Sequence, residues 1–234
     1  MGSKSVTYPG DPSPDSKRRR VRSILENYTN PWDILCELVQ NSVDAIRRWN
    51  RDNSGIERDH VINIIIDKSK REIIIQDTGS GFSNKNFLTL LNPDGTDKGS
   101  ISEENGEKGV GLKFCIFSSD FFELKSKSVD SKLTVSVDRA HEWLNSDSDE
   151  SLKLEHKVES KSIEPCDTFT SITISGFHGP YEDEYIHKDF FHQSVEVIEY
   201  YLLSFTSAGQ LSKLFNRESR DIEFNLFLEV KSHD

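Results

Sequence analysis

The sequence predicts an α+β domain built as a two-layer α/β sandwich, with helices packed on one face of a sheet. The first observation is a pair of β-branched runs, 61–67 and 72–77, joined by a short polar turn in the pattern of a β-hairpin. The second is a helical segment, 31–49, whose apolar residues form a single stripe. Strands and a helix of this kind bury their apolar sides against each other, so one core between two layers is expected.

The overall composition limits the classes of protein that the sequence can encode. The 234 residues are enough for one substantial domain, and 29 Lys and Arg against 40 Asp and Glu give a formal net charge of −11. This acidic balance argues against a broad nucleic-acid-binding surface on the domain. Three widely separated cysteines indicate thiols in a reducing compartment, and no apolar run approaches the roughly 18 residues of a membrane span. We therefore expect a cytoplasmic protein, or a nuclear one in a eukaryote, with no membrane partner.

Three regions are predicted along the chain. Residues 1–15 hold prolines among Gly, Ser and Asp and are expected to be extended or disordered. Residues 16–207 form the main domain, and residues 208–234 are a C-terminal extension or the start of a truncated transducer region. The first predicted helix, 16–28, contains the basic run 17–20, which is either a solvated helix start or a contact to phosphate or to a partner subunit.

The central helix carries a line of polar side chains that could support chemistry. Successive helical residues turn by about 100°, so Glu37, Asn41 and Asp44 fall within an arc of roughly 60°. Carboxylate and amide oxygens can bind a metal ion, and a carboxylate can act as a base toward water. The alternative is a solvated polar face of the kind that most such helices have.

The first hairpin ends in an acidic residue followed by two closely spaced glycines. Asp77 runs directly into a turn that contains Gly79 and Gly81. Glycines at alternate positions let the backbone turn sharply and let a flat ligand approach it closely. The pattern is common in proteins, and an acidic residue at a strand end can also simply cap the strand.

A long polar stretch follows and ends in a second glycine cluster. Residues 84–91 are a short helix candidate, and residues 92–106 lack periodicity, as functional lids often do. An apolar helical segment is then opened by the sequence Gly106-Glu107-Lys108-Gly109-Val110-Gly111-Leu112-Lys113. Bare amide groups at the start of a helix can bind phosphate. The spacing is neither that of the phosphate loop ending in Lys-Ser/Thr nor that of the dinucleotide fingerprint.

The later part of the chain continues with strands and a helix. Residues 121–128 and 133–138 predict a second hairpin. The remaining predicted elements are strands at 152–158, 169–175 and 222–230 and a helix at 182–207.

Three segments together resemble the sequence boxes of the GHKL superfamily, whose members include gyrase, the heat-shock ATPase chaperones, histidine kinases and the MutL mismatch-repair proteins. The segments are Glu37-x-x-x-Asn41-x-x-Asp44-Ala45, Asp77-x-Gly79-x-Gly81 and Gly106-x-x-Gly109-x-Gly111, in this order and with a lid-sized gap before the third. The resemblance covers roughly residues 30–176. It implies the Bergerat fold, in which helices cross one face of a mixed, mostly antiparallel sheet and ATP lies between the helices and a mobile lid.

The resemblance also implies roles for the polar residues of the central helix. Glu37 is similar in position to the general base of the family, and Asn41 is similar to its Mg²⁺ ligand. Asp44 is expected nearer the nucleoside. ATP and Mg²⁺ are therefore the expected cofactors.

At the adenine end of the site, the resemblance implies that Asp77 accepts a hydrogen bond from the exocyclic amine and that Thr170 supports it. Gly79 and Gly81 would admit the base. The family usually has Gly before the supporting threonine, whereas this chain has Phe169.

At the phosphate end, the resemblance implies that backbone amides are the ligands. The amides belong to Gly109, Val110, Gly111 and Leu112. Lys108 and Lys113 are either phosphate-binding charges or solvated lysines.

Position 37 distinguishes the branches of the superfamily. Histidine kinases characteristically carry Asn there, because they transfer phosphate to a protein and should not activate water, so Glu37 favours hydrolysis. We expect an ATPase of the gyrase, MutL, chaperone or MORC type that closes a homodimer on ATP binding. Protein or DNA partners would bind through regions outside this chain, and a lysine from the next domain would complete the site. The alternatives are a nucleotide-gated interaction module with negligible hydrolysis and a histidine kinase-type catalytic domain.

Overall fold

The computed structural model describes residues 4–7, 13–83, 108–178, 190–211 and 223–232, and within these ranges the chain forms one eight-stranded sheet with helices packed on it. The strands are β1 (Lys4–Thr7), β2 (Val61–Asp67), β3 (Glu72–Asp77), β4 (Ser119–Lys127), β5 (Ser131–Asp138), β6 (Lys153–Ser160), β7 (Phe169–Phe177) and β8 (Asn225–Lys231). The helices are α1 (Pro14–Leu25), α2 (Asp33–Asp52), α3 (Lys108–Phe117), α4 (Ala140–Asn145), α5 (Val195–Phe205) and α6 (Ser207–Leu211), with 3₁₀ turns at Pro165–Asp167 and Phe190–His192.

The strand order makes the sheet mixed and mostly antiparallel. Across the sheet the order is β1-β6-β5-β4-β7-β3-β2-β8, and every neighbouring pair is antiparallel except β2 and β8. Buried residues alternate with more exposed ones along β2, β3, β5 and β7. This alternation is expected when one face of a sheet is covered. The predicted α+β class and both predicted hairpins are confirmed.

Helix α2 lies on the sheet through the apolar stripe predicted for it. Leu35, Leu38, Ile46 and Trp49 are each no more than 2% exposed. Each buried aliphatic side chain stabilises the fold by roughly 1.5–3 kcal/mol relative to an exposed one, so this stripe fixes the helix on the core. The helix ends at Asp52, nearly one turn beyond its predicted end.

Helix α1 begins at Pro14, two residues before its predicted start. The hydroxyl of Ser13 accepts a hydrogen bond from the backbone N–H of Ser16 at 3.4 Å and so caps the helix. Pro14 occupies the first helical position, where a missing N–H has no cost. Within the segment 1–15, residues Lys4–Thr7 pair with β6 as an edge strand.

The first two residues of the basic run of α1 are buried and the last two are exposed, so only part of the run is a solvated helix start. Lys17 and Arg18 are only 4% and 3% exposed. Arg18 donates from Nη1 to the carbonyl oxygen of Ser148 at 2.7 Å, and its guanidinium lies 5.4 Å from the ring centroid of Trp143. This part of the run therefore anchors α1 to α4 and to the acidic loop that follows α4.

Among the described residues, the helix predicted at 182–207 is confirmed over Val195–Phe205 but not before or directly after it. The chain forms a 3₁₀ turn at Phe190–His192, and Thr206, whose backbone is extended, separates α5 from α6. The hydroxyl of Thr206 donates to the carbonyl of Leu202 at 2.5 Å and accepts from the N–H of Ala208 at 3.2 Å. A side chain that bonds the backbone on both sides competes with helix continuation. The predicted helix at 84–91, the predicted lid at 92–106 with Gly106, and residues 182–189 lie outside the described residues.

The last strand, β8, lies parallel to β2 at the edge of the sheet, with Val61 opposite Asn225 and Asp67 opposite Lys231. It begins three residues later than predicted. The division of the chain into 16–207 and 208–234 stays a prediction. Among the described residues, none of the helices combines the length and the apolar character needed to cross a bilayer.

Candidate active site

The turn after β3 packs directly against α2. A Cβ atom at Gly79 would lie 2.6 Å from the carbonyl carbon and the Cβ of Ala45, so only glycine fits there. The N–H of Ser80 donates to the carbonyl of Ala45 at 3.0 Å. Gly81 has a φ of 71°, and a Cβ there would overlap the carbonyl oxygen of Lys127 at the end of β4. The two glycines thus let β3, α2 and β4 meet at one place.

Asp77 is the buried acidic group of the site, with 6% of its surface exposed. Its Oδ1 accepts from the N–H of Gly79 at 2.9 Å, and its Oδ2 accepts from the hydroxyl of Ser42 at 3.3 Å. Burial raises the pKa of Asp77 to about 7, although these two hydrogen bonds and the charges of Arg58 and Arg48 act to lower it. The carboxyl group therefore gains and loses a proton near neutral pH.

Thr170 lies opposite Asp77 in the ladder between β3 and β7. Residues paired directly in an antiparallel register present their side chains on the same face of the sheet. Thr170 is 2% exposed, and its Oγ1 has no hydrogen-bond partner within the described part of the chain. A buried hydroxyl without a partner costs roughly 1–3 kcal/mol. A polar edge of a bound molecule would supply the missing partner, so the residues here fit a nucleobase.

The carboxylate of Glu37 lies where α2 meets the first turn of α3. The hydroxyl of Tyr28 donates to Oε1 at 3.0 Å, and the Tyr28 ring stacks on Phe114 with the centroids 4.0 Å apart. A Cβ atom at Gly111 would overlap Oε2 of Glu37. The carboxylate can approach the α3 backbone this closely only because residue 111 is glycine.

Helix α3 begins at Lys108, so Gly109 and Gly111 of the second glycine cluster lie in its first turn. The first N–H groups of a helix have no intrahelical acceptor and carry the positive end of the helix dipole, and Gly109 and Val110 belong to this set. Leu112 lies a full turn inside the helix with 2% exposure, and we expect its amide to bond within the helix. Lys113 is 3% exposed, which excludes the alternative of a solvated lysine.

Asn41 and Asp44 continue the face of α2 that Glu37 begins. Asn41 is half-buried, one helical turn from Glu37. Oδ1 of Asp44 accepts from Nε2 of Gln40 at 3.0 Å and from Nη1 of Arg47 at 3.5 Å. The predicted line of three side chains is therefore present, with Asp44 held by its neighbours on the helix.

Residues outside the three sequence boxes hold the turn after β3 in place. Arg58 donates from Nη2 to the carbonyl of Thr168 at 2.8 Å, and the hydroxyl of Thr168 donates to the carbonyl of Gly79 at 2.7 Å. The Nδ1 of His60 lies 3.1 Å from the carbonyl oxygen of Thr78. Burial, and then the charge of Arg58, lower the pKa of His60. The sequence did not predict this network, because Arg58 and Thr168 lie in loops 110 positions apart with no motif spacing.

Tyr28 and Ser42 were also missed as residues of the site. Ser42 follows Asn41 directly, and its polar side chain on the buried side of α2 was an available signal. Tyr28 left no such signal, because its contact with Glu37 depends on how the chain passes from α1 to α2.

The structure combines a mixed sheet crossed by α2 and α3 with two acidic groups. One is a buried carboxyl group at one end of the site, and the other is a carboxylate beside a helix N-terminus at the opposite end. This combination defines an ATPase domain of the GHKL type. A sequence model of the family described as histidine kinase-, DNA gyrase B-, and HSP90-like ATPase matches residues 28–173, which is more than half of the chain. The chain therefore belongs to this family, whose domains bind ATP. No curated protein matches the sequence.

Proposed function

We propose that this domain binds ATP with Mg²⁺ and hydrolyses it, and that ATP binding closes a homodimer of a larger protein. The observation that supports hydrolysis most directly is the contact between the Glu37 carboxylate and Gly111 in the first turn of α3. It brings a candidate base to the helix end where a triphosphate would bind.

At the adenine end, the ionised carboxylate of Asp77 would accept a hydrogen bond from the exocyclic amine of the base. Thr170 lies beside it and would hydrogen-bond the same edge of the base through Oγ1. Gly79 and Gly81 have no side chains to block the approach of a flat ring. These residues would select adenine through paired polar contacts in a buried setting, where an unmatched base would leave them unsatisfied.

At the phosphate end, the amides of Gly109 and Val110 would bind phosphate oxygens together with the α3 dipole. Glu37 would orient a water molecule and take its proton, while Tyr28 holds the other carboxylate oxygen in place. Asn41 would hold Mg²⁺ through its amide oxygen, and the ion when bound would neutralise charge on the phosphates and orient them.

The hydrogen bond from Tyr28 to Glu37 favours a second candidate function, a nucleotide-gated interaction module with negligible hydrolysis. A carboxylate that accepts a hydrogen bond is a weaker base than one that does not. In this alternative, ATP binding would order the domain for a partner without turnover. A histidine kinase-type domain is the least favoured alternative, because that branch characteristically has Asn at the position of Glu37.

The dimer part of the proposal rests on the family resemblance. In the gyrase, MutL and chaperone branches, ATP closes the dimer and hydrolysis reopens it, so slow turnover acts as a timer. A lysine from the following domain would complete the phosphate site. Its absence would leave the isolated domain weakly active.

The test is steady-state ATP hydrolysis by the wild type, Glu37→Ala and Glu37→Gln, with a parallel titration of a non-hydrolysable ATP analogue. Loss of a general base lowers turnover by about 10²–10⁴-fold, so both variants should bind the analogue and lose turnover. Glu199→Ala, which changes an exposed helical glutamate, is the matched control and should leave both quantities unchanged.

The outcomes separate the candidate functions. Unchanged turnover in both Glu37 variants would remove Glu37 as the base. Binding without turnover in the wild type would support either the nucleotide-gated module or a domain that lacks its completing lysine and dimer partner. Light scattering with the bound analogue tests the dimer, and a particle that keeps the mass of a monomer would contradict closure.

A further inference from the structure

Two histidines and an aspartate from separate parts of the chain meet outside the ATP site. Asp120 lies at the start of β4, His141 lies in α4, and His178 directly follows β7. One potential ligand atom from each residue can be chosen so that the three atoms lie within 4.8 Å of one another.

The side chains of this cluster are closely arranged. Nε2 of His178 lies 2.6 Å from Oδ1 of Asp120, and the rings of His141 and His178 stack with their centroids 4.0 Å apart and 10° between their planes. Nδ2 of Asn145 lies 3.0 Å from Nε2 of His141. With the Asn145 amide turned so that its oxygen faces this nitrogen, Nε2–H would donate to that oxygen and Nδ1 would be the metal ligand, which is the arrangement typical of histidines that bind metals.

The backbone around the cluster has special features that bring the three residues together. Gly176 has a φ of 65°, and a Cβ there would overlap Oδ2 of Asp120. Arg139 adopts a left-handed conformation with a φ of 54°, and its N–H donates to the carbonyl of Asp120 at 2.6 Å just before α4 begins. The N–H of His178 donates to the carbonyl of Ser118 at 2.9 Å. The positions of all three residues are therefore set by the sheet and by the start of α4.

The cluster is separate from the proposed ATP site. Thr170 lies near the first end of β7 beside Asp77, and His178 follows the other end of the same strand. A strand rises about 3.3 Å per residue, so these two positions are on the order of 25 Å apart.

We propose that Asp120, His141 and His178 form a binding site for one divalent transition-metal ion of the kind that imidazole favours, with Zn²⁺ the best fit. Two imidazoles and one carboxylate match the donor set of three-ligand zinc sites, in which water fills the remaining position. Ligand atoms around a tetrahedral Zn²⁺ lie roughly 3.3 Å apart, given bonds of about 2.0–2.2 Å. To share one ion the two stacked imidazoles would turn out of their parallel arrangement, because the lone pair of each nitrogen lies in the plane of its ring.

The exposure of the cluster suits an ion that enters from solvent. The side chains of His178 and Asp120 are 41% and 57% exposed. Binding would link α4 to the ends of β4 and β7, so an occupied site would also stabilise the fold.

The test measures Zn²⁺ per chain after equilibrium dialysis, with any purification tag removed, together with the absorption spectrum of the Co²⁺ form. The wild type should bind one ion, and Co²⁺ should show the bands of a low-coordinate nitrogen and oxygen site. Asp120→Ala, His141→Ala and His178→Ala should each abolish both signals. Asn145→Ala should weaken binding by about 10–100-fold, as the loss of an orienting partner does.

Matched controls separate this site from other binding groups. His192→Ala changes an exposed histidine outside the cluster, and Cys166→Ser removes an exposed thiol. Both should retain one ion per chain. Wild-type protein that binds no Zn²⁺, or binding that survives all three cluster variants, would overturn the proposal and leave an ordinary ion pair. ATP-analogue binding by the three variants should equal that of the wild type, so the result does not depend on the proposed ATPase.

Discussion

The side chains of Asp77 and Thr170 are buried at paired positions of β3 and β7, and burial has an energetic cost for each of them. The carboxyl group loses hydration on burial, and the hydroxyl lacks a partner among the described residues. Binding of a base with a donor and an acceptor on one edge would relieve both costs. The resemblance to the GHKL sequence boxes predicted both residues, Asp77 in the box with the two glycines and Thr170 in the strand at 169–175. It did not predict Ser42 or Arg58, which act on Asp77 through contacts made only in the folded chain.

Nucleotide affinity is expected to rise with pH between about pH 6 and pH 8. Because the pKa of Asp77 is raised to about 7, the fraction of carboxylate able to accept a hydrogen bond from an amine increases over this range. The check is titration of an ATP analogue at about pH 6, 7 and 8. Asp77→Asn places an amide where the carboxylate is and should abolish adenine binding. Normal affinity in that variant would remove Asp77 from the site.

The stability of the nucleotide-free domain should depend on pH in the opposite sense. The folded pKa of Asp77 lies above the ordinary value of 3.8, so the folded state binds more protons between about pH 4 and 7. The contribution of Asp77 to the free energy of unfolding is therefore complete below about pH 4 and is lost as the pH rises through about 7. Urea unfolding of Asp77→Asn across this range should lack that component. Equal pH dependence in variant and wild type would contradict the assignment.

Replacing Thr170 with Val should stabilise the nucleotide-free domain and weaken ATP binding. The variant removes a buried hydroxyl without a partner, so the free energy of unfolding should rise by about 1 kcal/mol, while the lost hydrogen bond to the base should lower affinity by about tenfold. Urea unfolding and analogue titration measure the two effects. Thr173→Val, a half-buried position on the other face of β7, is the control and should not change affinity.

At the scale of elements, the local sequence pattern was enough to predict the hairpins and α2, but it did not predict the structure of the segment after β7. The β2–β3 hairpin follows from two isoleucine runs and a four-residue turn, and α2 follows from its apolar stripe. The prediction of a helix at 182–207 differs from the structure at both ends of α5: residues 190–192 form a 3₁₀ turn and the helix begins only at Val195, and Thr206 bonds the backbone on both sides and ends it at Phe205. The apolar residues of that region fit helical spacing whether or not the helix is continuous, so spacing alone could not reveal the break.

The packing of the turn after β3 on α2 gives a prediction at this scale. Gly79→Ala should lower the free energy of unfolding by about 1–3 kcal/mol or more, because the new Cβ would lie 2.6 Å from the backbone of Ala45. Gly55→Ala is the matched control, since a Cβ there has no atom within 4 Å and should be tolerated. Urea unfolding compares the two variants. Equal stability of both would show that α2 and the turn are not in this contact.

At the scale of the whole molecule, the sheet order could not be read from the sequence. Strand β8 pairs in parallel with β2, although about 160 positions separate them, and no local pattern specifies such a partner. The two ends of the proposed ATP site also come from different layers, with Asp77 and Thr170 on the sheet and Glu37 on α2. The order of these three residues along the chain could be read from the sequence, but the distances between them depend on how the layers pack.

Removing β8 should destabilise the domain. A chain shortened after residue 211 would leave the hydrogen-bonding edge of β2 uncovered, and exposed strand edges promote association. The expected result is a lower urea midpoint and concentration-dependent light scattering. A chain shortened only after residue 231 keeps β8 and serves as the control. An unchanged midpoint in the shorter chain would show that β8 is not part of the stable sheet.

Strand β7 is hydrogen-bonded along both edges, to β3 on one side and to β4 on the other. The distance between its two ends is therefore fixed, because changing it would break the hydrogen-bond ladders on both sides at once. The residues proposed to bind adenine lie at one end of this strand and the histidine cluster lies at the other. A ligand at one end can influence the other through charge or through the covering helices, but not by sliding the strand between them.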